Sequence, residues 1–276
     1  MKKRVLVTGA TGFVGHHVLD CLISQDVNLT VIVRNEKQSL FANNSTVHNI
    51  ITTKDLFAET VAWWAHVMKD IDTVIHVAWY TEPGFYLQSP KNLDCLNGTL
   101  SLAKGAAQAG VRRFIGIGTC FEYDLSFGTL STKTPLKPLT PYADAKAEAY
   151  IALSQLLPAN GIEFAWCRLF YLYGKGEDAR RLVPYLREKL STGKPANLTS
   201  GEQVRDYIEV TEAARLIVEA ALSDFQGPIN ICSGIPITIK QLAENIADEY
   251  GRRDLLMFGT RPDNSIDPTY VVGRKK

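Results

Sequence analysis

Short β-branched apolar runs alternate with amphipathic stretches over the first 120 residues of this chain. RVLVTGA is followed by GHHVLDCLISQ, LTVIVRN by ETVAWWAHVMKD, and DTVIHVAW by NLDCLNGTLSLAKGAAQAG, before RRFIGIGTC closes the series. The Val- and Ile-rich runs read as strands, and the stretches with apolar residues three and four apart read as helices. Their alternation predicts βαβ units, and the handedness of such connections leads to an α/β fold with a doubly wound parallel sheet. Beyond residue 140 the pattern continues with a helix in PYADAKAEAYIALSQLL and a strand in FAWCRLFYLYG. RRLVPYLREKLSTG, VTEAARLIVEAAL and TIKQLAENIADEYG are helical candidates, whereas FGTRPDNSIDPTYVVGRKK, with Pro262 and Pro268, reads as irregular. No repeat or linker intervenes, so a first lobe over residues 1–165 and a second, smaller C-terminal lobe over 166–276 are expected to pack directly and to interleave in part.

Charge narrows the function. Thirty Lys and Arg against 29 Asp and Glu give a formal charge of +1, which offers no field for nucleic acid or a membrane surface and points to a small-molecule partner. The five cysteines (Cys21, Cys95, Cys120, Cys167 and Cys232) form no CxxC pair and read as free thiols of a reducing compartment. The apolar stretch near the N-terminus is too short for a signal sequence, and no run approaches the ~20 apolar residues of a membrane span. A cytoplasmic protein is expected. No His, Cys or Asp cluster has zinc spacing, so no metal is expected.

Gly9, Gly12 and Gly15 form G-x-x-G-x-x-G between a strand and a helix, with Thr11, Phe13 and Val14 inside the turn. Glycine there permits a tight turn and close backbone approach, while the helix N-terminus presents N–H groups to a pyrophosphate. At the end of the second strand, Arg34 favours the 2′-phosphate of NADP over NAD, although Glu36 lies close by. Asp55, with Leu56 beside it, either binds the adenine amino group or caps the following helix. Ala78 completes the expected cofactor contacts at the end of VIHVA, where His76 reads as a core histidine.

Tyr142 and Lys146 in PYADAK stand at i and i+4, on one face of a helix that Thr140 and Pro141 start. A tyrosine of pKa ~10 is a poor base at neutral pH, and a neighbouring ammonium favours its phenolate. Thr119, 23 residues earlier at a strand end, supplies a hydroxyl that can donate to a substrate oxygen.

Together GATGFVG, VIHVA, NGT, GTCFEY, YxxxK and GEQVRDYIEV resemble, in order, the motifs of the extended short-chain dehydrogenases/reductases, from about residue 4 to about residue 235. The resemblance implies a Rossmann lobe for NAD(P) and a C-terminal lobe for a nucleotide-sugar. It assigns Thr119, Tyr142 and Lys146 as the catalytic triad and Arg205 to the substrate diphosphate. Arg180 and Arg181 are plausible further phosphate contacts, and Trp79, Tyr80 and Tyr171 are candidate substrate contacts; the aromatic loop 79–86 either stacks on ligand or packs as a loop. Relatives commonly form homodimers through the helix over 92–110 and the tyrosine-bearing helix, which implies the same here. Two positions depart from the pattern. Cys95 replaces the usual asparagine three residues before Gly-Thr, and Tyr171 stands where relatives carry asparagine.

Dehydratases of this type place acids one and two residues after the threonine. Here those positions are Cys120 and Phe121, with Glu122 one step further, where in extended chain the side chain faces away. Simple hydride transfer needs no added acid. The expected activity is therefore NADPH-dependent reduction of the 4-keto group of a nucleotide-linked 4-keto-6-deoxyhexose. An NAD-dependent nucleotide-sugar 4-epimerase is the alternative, and a non-catalytic NAD(P)-binding regulator a further one.

Overall fold

The computed structural model describes residues 2–41, 46–263 and 268–275. The first part of the chain runs β1 (Lys3–Thr8), α1 (Phe13–Ile23), β2 (Val27–Arg34), β3 (Val47–Thr53), α2 (Val61–Val67), β4 (Thr73–His76), α3 (Lys91–Ala109), β5 (Arg113–Thr119), β6 (Thr129–Leu130) and α4 (Pro141–Ala159). It continues with β7 (Glu163–Leu169), β8 (Tyr171–Tyr173), α5 (Leu182–Ser191), β9 (Ala196–Asn197), β10 (Val204–Glu209), α6 (Val210–Leu222), β11 (Gly227–Ile231), β12 (Pro236–Thr238), α7 (Ile239–Tyr250), β13 (Leu256–Met257) and β14 (Tyr270–Gly273).

Seven strands share one parallel sheet in the order β11-β7-β5-β4-β1-β2-β3. This is the doubly wound arrangement, and the strand order reverses beside β1, where such sheets open a crevice at their carboxyl ends. Both faces are buried, so successive residues of β1 enter different cores. Val5 and Val7 pack with α1 and α6, whereas Leu6 packs with Trp64, Leu102, Phe114 and Trp166 on the other face. Burying side chains of this size contributes ~1.5–3 kcal/mol each, so the two sheet faces outweigh the exposed ion pairs, worth ~0–1 kcal/mol each. A smaller core of Val183, Leu186, Leu190, Ala243 and Ile246 joins α5 to α7 in the second lobe.

Several elements differ from the sequence expectation. β3 is an additional edge strand, paired with β2. FAWCRLFYLYG is two strands rather than one: at Phe170 the chain leaves the main sheet, its side chain entering a separate cluster with Cys120, Tyr123 and Val271, and β8 pairs with β10 instead. β7 spans the 165/166 division, and β11 and α6 join the first sheet and its core, so the two lobes share a framework. The C-terminal stretch is not wholly irregular, because β14 runs parallel to β10 and β6, with Val271 and Val272 buried and the Gly273 N–H donating to Asp206 at 3.0 Å. Residues 264–267 of that stretch lie outside the described residues.

Candidate active site

A cleft of about 1100 Å³ opens at the carboxyl ends of β1, β4 and β5 and extends to the second lobe. Its floor is the glycine turn. Gly9 has φ +73°, and a Cβ there would lie 2.6 Å from the Ala78 nitrogen; a Cβ on Gly15 would lie 1.9 Å from the Gly9 oxygen. Gly12 caps α1 without a side-chain hydrogen bond, so the N–H groups of the first turn face outward as an anion cradle. A dinucleotide pyrophosphate fits this cradle.

Thr11, Phe13 and Val14 line the same end of the cleft, with Arg34, Asp55, Leu56 and Ala78 around it. The Arg34 guanidinium lies 3.3 Å from the Glu36 carboxylate, both well exposed. Asp55 does cap: it accepts from the Phe57 N–H at 3.0 Å, at the start of a 3-10 turn over Leu56–Ala58 rather than a long helix. His76 is a core residue, hydrogen-bonded to the Thr8 and Thr99 hydroxyls at 2.8 and 2.9 Å. Burial, with Lys146 nearby, lowers its pKa to about 3 and keeps it neutral.

Tyr142, Lys146 and Thr119 converge on the middle of the cleft. Thr140 starts α4 by accepting from the Ala143 N–H at 3.2 Å, which aims the Tyr142–Lys146 face at the end of β5. Lys146 is 4% exposed; its ammonium donates to the Ile117 carbonyl at 2.5 Å and lies 3.8 Å from the centre of the Trp79 ring. Burial lowers its pKa to about 7, opposed by the charge of Glu122. The Tyr142 phenol, within hydrogen-bonding reach of Thr119, is raised above its ordinary value by burial, with Tyr86 and Glu122 adding to the effect. This corrects the expectation of a lowered tyrosine. Burial holds Tyr142 as the neutral phenol.

Beyond Thr119 the chain turns as a 3-10 helix over Cys120–Glu122 instead of remaining extended. Glu122 is nevertheless turned from the cleft, because its carboxylate accepts from the Thr119 N–H at 2.7 Å, from the Trp166 indole at 3.1 Å and from Arg168 Nε at 2.6 Å. Glu122 and Arg168 are 0% and 1% exposed. Gly118 leaves room for the arrangement, since a Cβ there would stand 2.2 Å from the indole nitrogen. The remaining neighbour, Cys120, is buried, and desolvation raises its thiol far above the usual range.

Trp79, Tyr80, Tyr171 and Arg181 line the cleft, but Arg180 and Arg205 do not. Arg180 lies at the surface, bonded to Asp178 and, at 2.7 Å, to Glu82. Arg205 is 4% exposed, donates to the Val204 carbonyl at 2.9 Å and stacks over Tyr171 at 5.3 Å. In the aromatic loop, Trp79 and Tyr86 are packed and also line the cleft. Cys95 takes over a structural contact, accepting from the Tyr80 N–H at 3.4 Å. Glu177 and Tyr207 also line the cleft and were not named from the sequence, Glu177 because it falls in no motif and Tyr207 although it stands in GEQVRDYIEV. Among the described residues no group of three or more His, Cys, Asp or Glu could hold a metal ion, and no helix is long and apolar enough to cross a membrane.

A cleft of this form, at the switch point of a doubly wound sheet, is that of an NAD(P)-dependent oxidoreductase. Residues 5–232 match the NAD dependent epimerase/dehydratase family, and the chain belongs to it. The dTDP-6-deoxy-L-talose 4-dehydrogenase (NAD(+)) of Aggregatibacter actinomycetemcomitans is 22% identical, covering 98% of this chain and 99% of that protein. A solved UDP-N-acetylglucosamine 4-epimerase from Methanobrevibacter ruminantium M1, in complex with UDP-N-acetylmuramic acid, superposes with TM-score 0.87 at 26% identity, over 100% of this chain and 90% of that one. The UDP-glucose 4-epimerase of Thermotoga maritima shares the fold, with TM-score 0.85 at 20% identity over 99% and 90% of the chains.

Proposed function

We propose that the protein reduces the 4-keto group of a nucleotide-linked 4-keto-6-deoxyhexose, with NADPH as the reductant. The reading is carried by one observation: Thr119, Tyr142 and Lys146 all line the cleft, while Glu122, the acid nearest Thr119 in sequence, is committed to Arg168. A dehydratase needs an acid to expel the 6-hydroxyl, and inversion at C3 or C5 needs an added acid/base pair. Reduction at C4 needs only one proton and one hydride.

When bound, the nicotinamide supplies the hydride. Tyr142, held as the neutral phenol, donates its proton to the developing alkoxide. Thr119 donates a hydrogen bond to the same oxygen and stabilises its charge. Lys146 stabilises the phenolate left behind, and its cost of burial is offset by the Ile117 carbonyl. Arg181 is the proposed contact for the substrate phosphates, as it lines the cleft where Arg180 does not. Arg34 is the proposed contact for the cofactor 2′-phosphate; its exposed pair with Glu36 is weak enough to be exchanged. Similarity to a dTDP-6-deoxy-L-talose 4-dehydrogenase supports chemistry at C4 of a 6-deoxy sugar.

The 4-epimerase reading has the support of the 4-epimerase structure at 26% identity. The two separate cleanly. Incubation with NADPH and a panel of nucleotide-linked 4-keto-6-deoxysugars should consume NADPH on one member. Interconversion of UDP-hexose 4-epimers without added cofactor, and no NADPH consumption, would replace reduction by epimerisation.

A further inference from the structure

Trp79 and Tyr86 belong to the same loop, and both end against the Tyr142–Lys146 face of α4. The Trp79 ring centre lies 3.8 Å from Lys146 Nζ, and the Tyr86 ring meets Tyr142 edge-on with centroids 4.8 Å apart at 85°. One side chain holds both. Asn92, 1% exposed at the start of α3, accepts the Trp79 indole N–H at 2.9 Å and donates to the carbonyls of Tyr86 at 2.6 Å and Ser89 at 2.9 Å. Both amide N–H bonds and the carbonyl are therefore engaged, and a buried amide satisfied in this way has a fixed orientation.

The indole adds to the support that the Glu122 carboxylate gives the Lys146 charge. Glu122, after β5, is paired with Arg168; Cys95 on α3 is kept a neutral thiol by burial; His76 on β4 is neutral; Tyr142, one turn away on α4, is a neutral phenol. Closest to the ammonium are the Ile117 carbonyl at 2.5 Å and the Trp79 ring centre at 3.8 Å, with the Trp166 ring centre at 5.9 Å. Cation–π attraction is strongest for indole and for a desolvated cation.

We infer that Asn92 is a positioning residue for the reaction: through Trp79 it holds Lys146 charged and in place, and through Tyr86 it fixes the Tyr142 phenol. This rests on the reading of Tyr142 and Lys146 as the proton-handling pair. Losing the indole face favours the neutral amine, so the ammonium is lost at lower pH and the alkaline limb of the rate profile moves toward acid.

The test compares kcat and KM against pH, and the affinity for reduced cofactor by fluorescence, in the folded wild type and in Trp79→Leu, Trp79→Phe and Asn92→Ala. In Trp79→Leu and Asn92→Ala the alkaline limb should move about one pH unit toward acid, the size expected for a desolvated cation–π contact. Trp79→Phe, which keeps a weaker aromatic face, should move less. In all three kcat should fall while cofactor affinity stays within about twofold. A folded Trp79→Leu enzyme whose profile superimposes on the wild type overturns the inference. Should Asn92→Ala not fold, Asn92→Asp retains the acceptor for the indole but loses both donors to the loop; a lower kcat supports the inference, and wild-type values overturn it. Tyr142→Phe and Lys146→Met are the controls. If they turn over normally, the reading of the pair itself fails; if they are inactive while the Trp79 and Asn92 variants match wild type, only the positioning role fails.

Discussion

Replacing Arg168 by Met should destabilise the protein and damage catalysis without touching the cleft surface. Arg168 and Glu122 are buried together, 2.6 Å apart, and Arg168 also donates to the Tyr123 hydroxyl at 3.1 Å. Removing one member leaves the other as an uncompensated buried charge, which costs about 3–5 kcal/mol. For a domain of this size that is a fall in Tm of roughly 10 °C. Glu122 also accepts the Thr119 N–H, so a carboxylate that shifts or protonates moves the hydroxyl that stabilises the alkoxide, and kcat should fall more than KM. Urea denaturation at pH 7 with steady-state kinetics reads both effects. The double variant Glu122→Gln with Arg168→Met should regain part of the lost stability, since no buried charge then remains, giving a favourable coupling in the double-mutant cycle. An Arg168→Met protein within about 1 kcal/mol of wild type, or a double variant no more stable than the additive sum, would refute the argument.

Tyr142→Phe removes the proposed proton donor and should lower kcat by roughly two to four orders of magnitude in a steady-state assay, with the fold unchanged by circular dichroism. Gly15→Ala should abolish NAD(P)H binding in a fluorescence titration and lower stability, because the added Cβ would stand 1.9 Å from the Gly9 oxygen. His76 titrates at about 3 in the fold against 6.5 for an ordinary histidine. The unfolded chain therefore takes up the proton first as pH falls, and the stability held above pH 6.5 should be lost progressively toward pH 3. His76→Gln should flatten that acid limb in urea melts at several pH values, and an unchanged slope would exclude His76 as its source.

The first lobe was legible because its signals are local. Apolar periodicity marks β1, β2, β4 and β5, and the glycine turn and the Tyr142–Lys146 pair lie in short segments whose spacing alone fixes their geometry. Contacts between distant segments were not legible. Glu122 meets Arg168 across 46 residues, and Arg205 turns under Tyr171 rather than into the cleft. Asn92 stands in an unremarkable stretch of helix, and its role depends on a loop whose path no period describes. β14 follows Pro268 and is only four residues long, so its parallel pairing with β10 and β6 has no sequence signature. The disposition of Glu122 followed from a wrong local conformation. An extended chain was expected, a 3-10 turn is found, and it is the ion pair with Arg168 that turns the carboxylate away.

The most direct test of reduction at C4 is a single turnover with the substrate identified from the keto-sugar panel and NADPH deuterated at the transferred position of the nicotinamide, run in H2O and, with unlabelled NADPH, in D2O. The account predicts one deuterium at C4 of the product in the first experiment and none bound to C3 or C5 in the second, because reduction at C4 exchanges no proton at those positions. A product without deuterium at C4, or with solvent deuterium at C3 or C5, would contradict it.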